Sequence, residues 1–276
     1  MHDIPDFIIA GPPRSGTGWM MSCLAEHPDV YIPEREIHYF SEKYDRPTSW
    51  YLNHFEQRSA EHIVGEKSPS YFASPDAAAR IYHWNSDTHL VFCLRHPIER
   101  TYAMYCMMLR AGHVSEDIAG ELAPDTWLVR SSLYFEQLQA YRDRFPSEHL
   151  HVLIFDDLKE SPQKFARYLF NVVGIDTSFK PSVLDRKFGH RKKRGGPVWS
   201  AIRTFSLKLT NSSNILDRTI QWLRKQDYTD WIHQLRSGKD DPSLPEPVRR
   251  ELHDYYRDDV NQLRDWLGRE LSNWPG

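Results

Sequence analysis

In PEREIHYF, residues 33–40, Glu36 and His38 stand two apart among apolar neighbours, a spacing that puts both side chains on one side of an extended segment. A carboxylate so placed can take a proton from a hydroxyl within hydrogen-bond reach, as a general base does; a structural salt bridge is the plain alternative. In GEKSPSYF, residues 65–72, Lys67 follows an apolar run and reads as a cation at a strand end or as a solvated lysine. Arg95 in LRHPIERTYAMY, residues 94–105, follows another such run. There its planar fork can clamp a phosphate, or pair with Glu99 at the surface. Arg14 lies in GPPRSGTGW, residues 11–19, a glycine-rich turn between an apolar run and a helix.

That last stretch has the outline of a phosphate loop without its lysine. A nucleotide-hydrolysing loop of the form G-x-x-x-x-G-K-[ST] uses the lysine on the outer phosphates and the hydroxyl residue on magnesium. Gly11 and Gly16 keep the spacing, but Thr17 stands in the lysine position and Gly18 in the hydroxyl position. What remains is a set of backbone N–H groups at a helix start, a site for an anion, with Arg14 beside it. An ordinary strand-to-helix turn is the competing reading.

These residues need a scaffold, and the pattern supplies one. Continuous apolar runs at Phe7–Gly11, His62–Glu66, His89–Leu94 and His151–Leu158 read as strands buried on both faces. Helical patterns follow each: Thr17 to about Glu26, from Pro75, from Pro97 with Ile98, Tyr102, Tyr105 and Leu109 on one face, and Ser161–Gly174. This alternation predicts an α/β fold with a mainly parallel sheet whose ligands sit at the carboxyl ends of the strands. Arg14, Glu36, Lys67 and Arg95 all fall at that edge. Beyond Ile175 come a basic glycine-containing loop at 186–197, an amphipathic helical stretch at 198–224, and a last helix over Val248–Leu267 with Leu252, Tyr255, Val260 and Leu263 at helical spacing. We expect one domain over 1–276, a core over 6–176 and an extension over 177–276.

Composition narrows the partners. The 276 residues are 40% hydrophobic with a formal net charge of -3, so no global basic field draws in nucleic acid and any anion site is local. Cys23, Cys93 and Cys106 are scattered and odd in number, which predicts reduced thiols in a cytoplasmic setting; no metal-ligand spacing occurs. The first residues do not read as a signal peptide and no apolar run is long enough to span a bilayer. Trp199, Trp222 and Trp231 could stack on sugar rings or touch a membrane surface peripherally, but their helical spacing favours a core. No pattern specifies an oligomeric state.

Taken jointly, the motifs resemble the sulfotransferases that use 3′-phosphoadenosine 5′-phosphosulfate (PAPS), and within them the carbohydrate branch that includes the heparan sulfate enzymes. Arg14-Ser15-Gly16-Thr17 matches the family's 5′-phosphosulfate loop, [K/R]-x-G-T, with Gly18 and Trp19 continuing it. Arg95-His96-Pro97 and Arg100 match R-[D/H]-P-x-x-R, whose first arginine holds the 3′-phosphate. Glu36, His38, Tyr39 and Phe40 match E-x-H-[F/Y]-F, which supplies the base, and Glu66 to Phe72 match E-K-[S/T]-P-x-Y-F. The likeness continues through SLYFEQLQAYRDRFP, with Tyr134 as a further donor contact, and VLIFDDLKESPQKF, and so covers roughly residues 6–176. It implies a P-loop-like three-layer fold and metal-free transfer of a sulfuryl group to a hydroxyl or amine of a glycan or small-molecule acceptor. Catalytic roles fall on Glu36, Arg14, His38 and Lys67. Two departures stand out: arginine replaces a common lysine at position 14, and the family's 3′-phosphate serine falls on Ala103. Arg191, Lys192, Lys193, Arg194 and Gly195 match the family's basic closing loop loosely, a solvated turn being the alternative. The competing functions are a P-loop kinase of a small metabolite and a nucleotide-binding protein without catalysis.

Overall fold

The structure is a computed structural model that describes residues 4–58, 61–185 and 241–276. Five strands, β1 (Phe7–Gly11), β2 (Val30–Tyr31), β3 (Ile63–Lys67), β4 (His89–Leu94) and β5 (Leu150–Ile154), form one sheet in the order β2-β3-β1-β4-β5, every pair parallel. β1 lies at the centre because all five of its residues are buried, and alternation sends them to both faces. Ile8 and Ala10 join a core against the helices Ala77–Trp84, Pro97–Ala111, Tyr134–Arg142 and Glu246–Leu267; Phe7 and Ile9 join a second core against Thr17–Ala25 and Pro162–Val173. Each fully buried Phe or Ile contributes about 1.5–3 kcal/mol relative to exposure. Gly65 is needed in β3 because a Cβ there would sit 2.0 Å from the Phe7 ring.

The expected three-layer α/β architecture is what the chain adopts. In detail the structure corrects the reading at four places. The two-residue β2 is too short for a periodic signal. β3 runs one residue later than read, making Lys67 its last residue rather than the first beyond it. β5 ends at Ile154, and Phe155–Glu160 is a helix whose first turn carries Asp156 and Asp157, where the helix dipole favours acids. In the last helix, Glu246–Leu267, the buried tyrosine is Tyr256, and Tyr255 is half-exposed. Among the described residues no helix is long and apolar enough to cross a membrane. The stretch 198–224, Trp199, Trp222 and Trp231 lie outside the described residues.

Candidate active site

The sheet order places the chemistry. β1 feeds β2 and β3 on one side, and the chain then crosses to β4 and β5 on the other, so β1 is the switch point at which an open parallel sheet leaves a crevice beyond its carboxyl ends. The turn after β1 passes through Arg14 (φ 70°) and Gly16 (φ 92°) into the helix Thr17–Ala25. Gly16 is confined as well as left-handed, since a Cβ there would lie 2.9 Å from the Phe155 ring. No side chain caps this helix and its first turn holds no acid, which leaves backbone N–H groups for an anion. The fully buried Ser15 hydroxyl has no hydrogen-bond partner among the described residues. Gly18 has open space where a side chain would be. Trp19 packs edge-on against Phe165, on the side of the second core.

Glu36 and His38 belong to a segment without regular structure, yet they meet, because His38 takes a left-handed conformation (φ 58°) at the start of a short helical turn. His38 Nε2 donates to Glu36 Oε2 at 2.9 Å, and Lys67 Nζ lies 2.5 Å from Glu36 Oε1. Burial pushes the Glu36 carboxyl up, but the hydrogen bonds from His38 and Lys67, with the lysine's charge, overrule it and bring it to about 2. Residues that went unassigned in the sequence fix this arrangement. Ser68 Oγ accepts the His38 backbone N–H at 2.9 Å and donates to Glu66 Oε2 at 3.0 Å; Tyr51 and Tyr71 donate to Glu66 Oε1. Glu66 is fully buried and forms no ion pair among the described residues, and burial raises it to about 7 despite those hydrogen bonds. On the other side of the His38 ring, Nδ1 meets Ser70 Oγ at 2.6 Å. The hydroxyls flanking Pro69 in GEKSPSYF were the signal for them.

Arg95, one residue past β4, faces the β1 loop. Its Nη1 donates to the Arg14 carbonyl at 3.3 Å, its guanidinium lies over the Phe155 ring, and its contact with Glu99 is a long 4.0 Å because Arg249 takes the other Glu99 oxygen at 3.1 Å. Tyr134 is fully buried and its hydroxyl donates to the Arg95 carbonyl at 2.6 Å. The structure thus gives Tyr134 a supporting position behind Arg95. Ala103 lies two turns into the Pro97–Ala111 helix. Arg14, Ser15, Lys67, Glu36, His38 and Arg95 share one rim; Arg191, Lys192, Lys193, Arg194 and Gly195 lie outside the described residues.

The parallel sheet with a glycine loop and an uncapped helix start at its switch point, and an acid between a lysine and a histidine on the same edge, places the chain in the class of open α/β folds that bind ligands at the carboxyl ends of their strands. The particular family follows from the comparisons. The sulfotransferase domain model matches residues 4–264, and the chain belongs to that family. Heparan sulfate glucosamine 3-O-sulfotransferase 3A1 of Mus musculus is 24% identical over 99% of this chain and 65% of its own length; the corresponding enzyme 5 of Homo sapiens is 30% identical over 59% of this chain and 52% of its own. The chain therefore spans less than two thirds of these relatives' length. Among solved structures, a sulfotransferase from Alicyclobacillus acidocaldarius superposes with a TM-score of 0.71 at 21% identity, covering 98% of both chains, and shares the fold.

Proposed function

We propose that the chain transfers a sulfuryl group from PAPS to a hydroxyl or amine of a carbohydrate-like acceptor, and that it does so as one domain in a reducing, cytoplasmic setting. The observation that carries this is the Glu36 carboxylate held between Lys67 and His38 on the same rim as an uncapped helix start and Arg95. The family membership and the glycan named for its relatives support the acceptor class. Three buried free cysteines support the compartment. The donor fits the residues present: an unpartnered buried Ser15 hydroxyl, room over Gly18 and the N–H groups of Gly16 and Thr17 suit its 5′-phosphate, and the loosely paired Arg95 suits its 3′-phosphate.

In the transfer, the acceptor oxygen bonds to sulfur as its proton passes to Glu36, the bond from sulfur to the 5′-phosphate oxygen breaks, and adenosine 3′,5′-bisphosphate leaves. Arg14 and the loop N–H groups stabilise the charge growing on that phosphate. A carboxylate near 2 accepts a proton poorly. Glu36 gains basicity when its hydrogen bond from Lys67 loosens, because that bond and the lysine's charge are what hold its proton affinity down. His38 keeps the carboxylate oriented. Turnover of radiolabelled PAPS with a panel of glycans tests the reading, and thermal shift with adenosine 3′,5′-bisphosphate against ATP plus magnesium separates it from a kinase. Stabilisation by the bisphosphate without any turnover would leave a nucleotide-binding protein instead.

A further inference from the structure

The helix Glu246–Leu267 carries a cation where its own dipole disfavours one. Arg249 lies in the first turn, at the end whose unpaired N–H groups favour acids such as Glu246. Its side chain leaves that helix for another: Nη1 donates to Glu99 Oε1 at 3.1 Å, across 150 residues of chain. Glu99 stands in the first turn of Pro97–Ala111, four residues after Arg95, and its other oxygen, Oε2, is 4.0 Å from Arg95 Nη2. One carboxylate thus faces two guanidiniums and closes a hydrogen bond with the one more distant in sequence.

That choice decides what Arg95 can offer an anion. A carboxylate seated on both nitrogens of an arginine fork is a strong, planar match, and a phosphate arriving at the same fork would have to displace it. Arg95 instead keeps weaker company, the Arg14 carbonyl at 3.3 Å and the Phe155 ring at 5.4 Å, both toward the β1 loop. Glu99 is close enough to change this: the 4.0 Å gap needs to shrink by only about 1 Å to reach hydrogen-bond length. At 38% exposure the Glu99 side chain has room to turn, and the bond from Arg249 is what holds its carboxylate aside.

We propose that Arg249 is a positioning residue for donor binding: by holding Glu99 it keeps the Arg95 guanidinium open to the 3′-phosphate, so the helix Glu246–Leu267 tunes nucleotide affinity through a carboxylate it shares with Arg95. The inference rests on the assignment of the 3′-phosphate to Arg95 above. Both pairs are partly exposed, and an ion pair of that kind corresponds to at most about five-fold in an equilibrium constant.

The test is a double-mutant cycle on the full chain, with adenosine 3′,5′-bisphosphate and adenosine 5′-monophosphate as ligands in calorimetry. Low salt keeps the charges unscreened, and pH 8 keeps the nearby His96, lowered by burial, neutral. Arg249→Gln is expected to weaken the bisphosphate about two- to five-fold and to leave the monophosphate unchanged. In a Glu99→Gln background the same substitution is expected to cost nothing, because no carboxylate remains to fall on Arg95. Arg249 is 40% exposed, and Arg249→Met serves as the second neutral variant should the first not fold. Unchanged bisphosphate affinity in the folded variants, or equal losses for the two nucleotides, overturns the proposal. So does a loss that persists in the Glu99→Gln background, which would mean that Arg249 acts on the nucleotide by its own charge. A wild type that binds the two nucleotides equally would remove the 3′-phosphate assignment itself, and is seen before any variant is made.

Discussion

Glu36 holds Lys67 and His38 at once, and its neighbour Glu34 is exposed with neither. Glu36→Gln keeps the shape and removes the proton acceptor. Turnover should fall by roughly 10² or more while bisphosphate affinity stays within a few-fold, and Glu34→Gln should leave both unchanged. Near-normal turnover in Glu36→Gln would pass the role of base to His38. At the other end of the donor, Arg95→Ala should weaken adenosine 3′,5′-bisphosphate by about 2–5 kcal/mol and adenosine 5′-monophosphate very little. Equal losses for the two nucleotides would place Arg95 away from the 3′-phosphate. Ala103→Ser, which restores a hydroxyl on the helix behind Arg95, should tighten the bisphosphate by about 1 kcal/mol; unchanged affinity would mean another group already serves that phosphate.

The strands have a second end, opposite the site. There His89, at the start of β4, and His151, in β5, lie in adjacent strands with Nδ1 and Nε2 2.8 Å apart, and the His149 ring lies tilted against that of His89 at 4.9 Å. Burial, then the charges of His89 and His149, push His151 down to about 4, and burial lowers His89 too. A histidine whose folded value is depressed contributes stability above its unfolded value near 6.5 and loses it as pH falls toward 4, because the unfolded chain takes up the proton first. Glu66 and Asp259, raised by burial to about 7 and about 6, act with the opposite sign over the same range. The histidine contribution is therefore read as a difference. Urea unfolding at pH 7 and pH 5 should show His151→Gln losing less stability on acidification than the wild type, by at most about 3 kcal/mol. Parallel behaviour of the two proteins would remove the histidines as the cause.

Across the whole molecule, the helix Glu246–Leu267 reaches Arg95 through a chain of contacts. Asp259 accepts the backbone N–H groups of Phe135 and Glu136 and so caps the helix Tyr134–Arg142, whose Tyr134 holds the Arg95 carbonyl. Tyr256 donates to the Val129 carbonyl and lies 2.9 Å from Thr101 on the arginine-bearing helix. Asp259→Ala should cost about 0.5–2 kcal/mol in denaturant, the range of a lost helix cap, and weaken bisphosphate binding a few-fold. Lower stability with unchanged binding would make this helix an anchor of the fold alone.

Local chemistry made much of this legible from residue order. Short apolar runs bounded by turn residues read as strands of a covered parallel sheet, so β1 and β4 were marked to the residue, and glycines and prolines marked the turns between them. The types and spacing of Arg14, Glu36, His38, Lys67 and Arg95 marked the rim. Among the elements that escaped are ones whose signals are weak or shared: β2 has too few residues for a period, and FDDL continues an apolar run although its acids suit a helix start. Tertiary structure alone decided the rest. Whether Glu36 meets Lys67 depends on the left-handed turn at His38 and the buried Glu66–Ser68 support, and whether Arg100 is a surface cation or a buried one depends on serines about thirty residues away. Periodicity reports which face of an element is buried, but not which distant element covers it, and it is that cover that sets the charge, the proton affinity and the open space of this site.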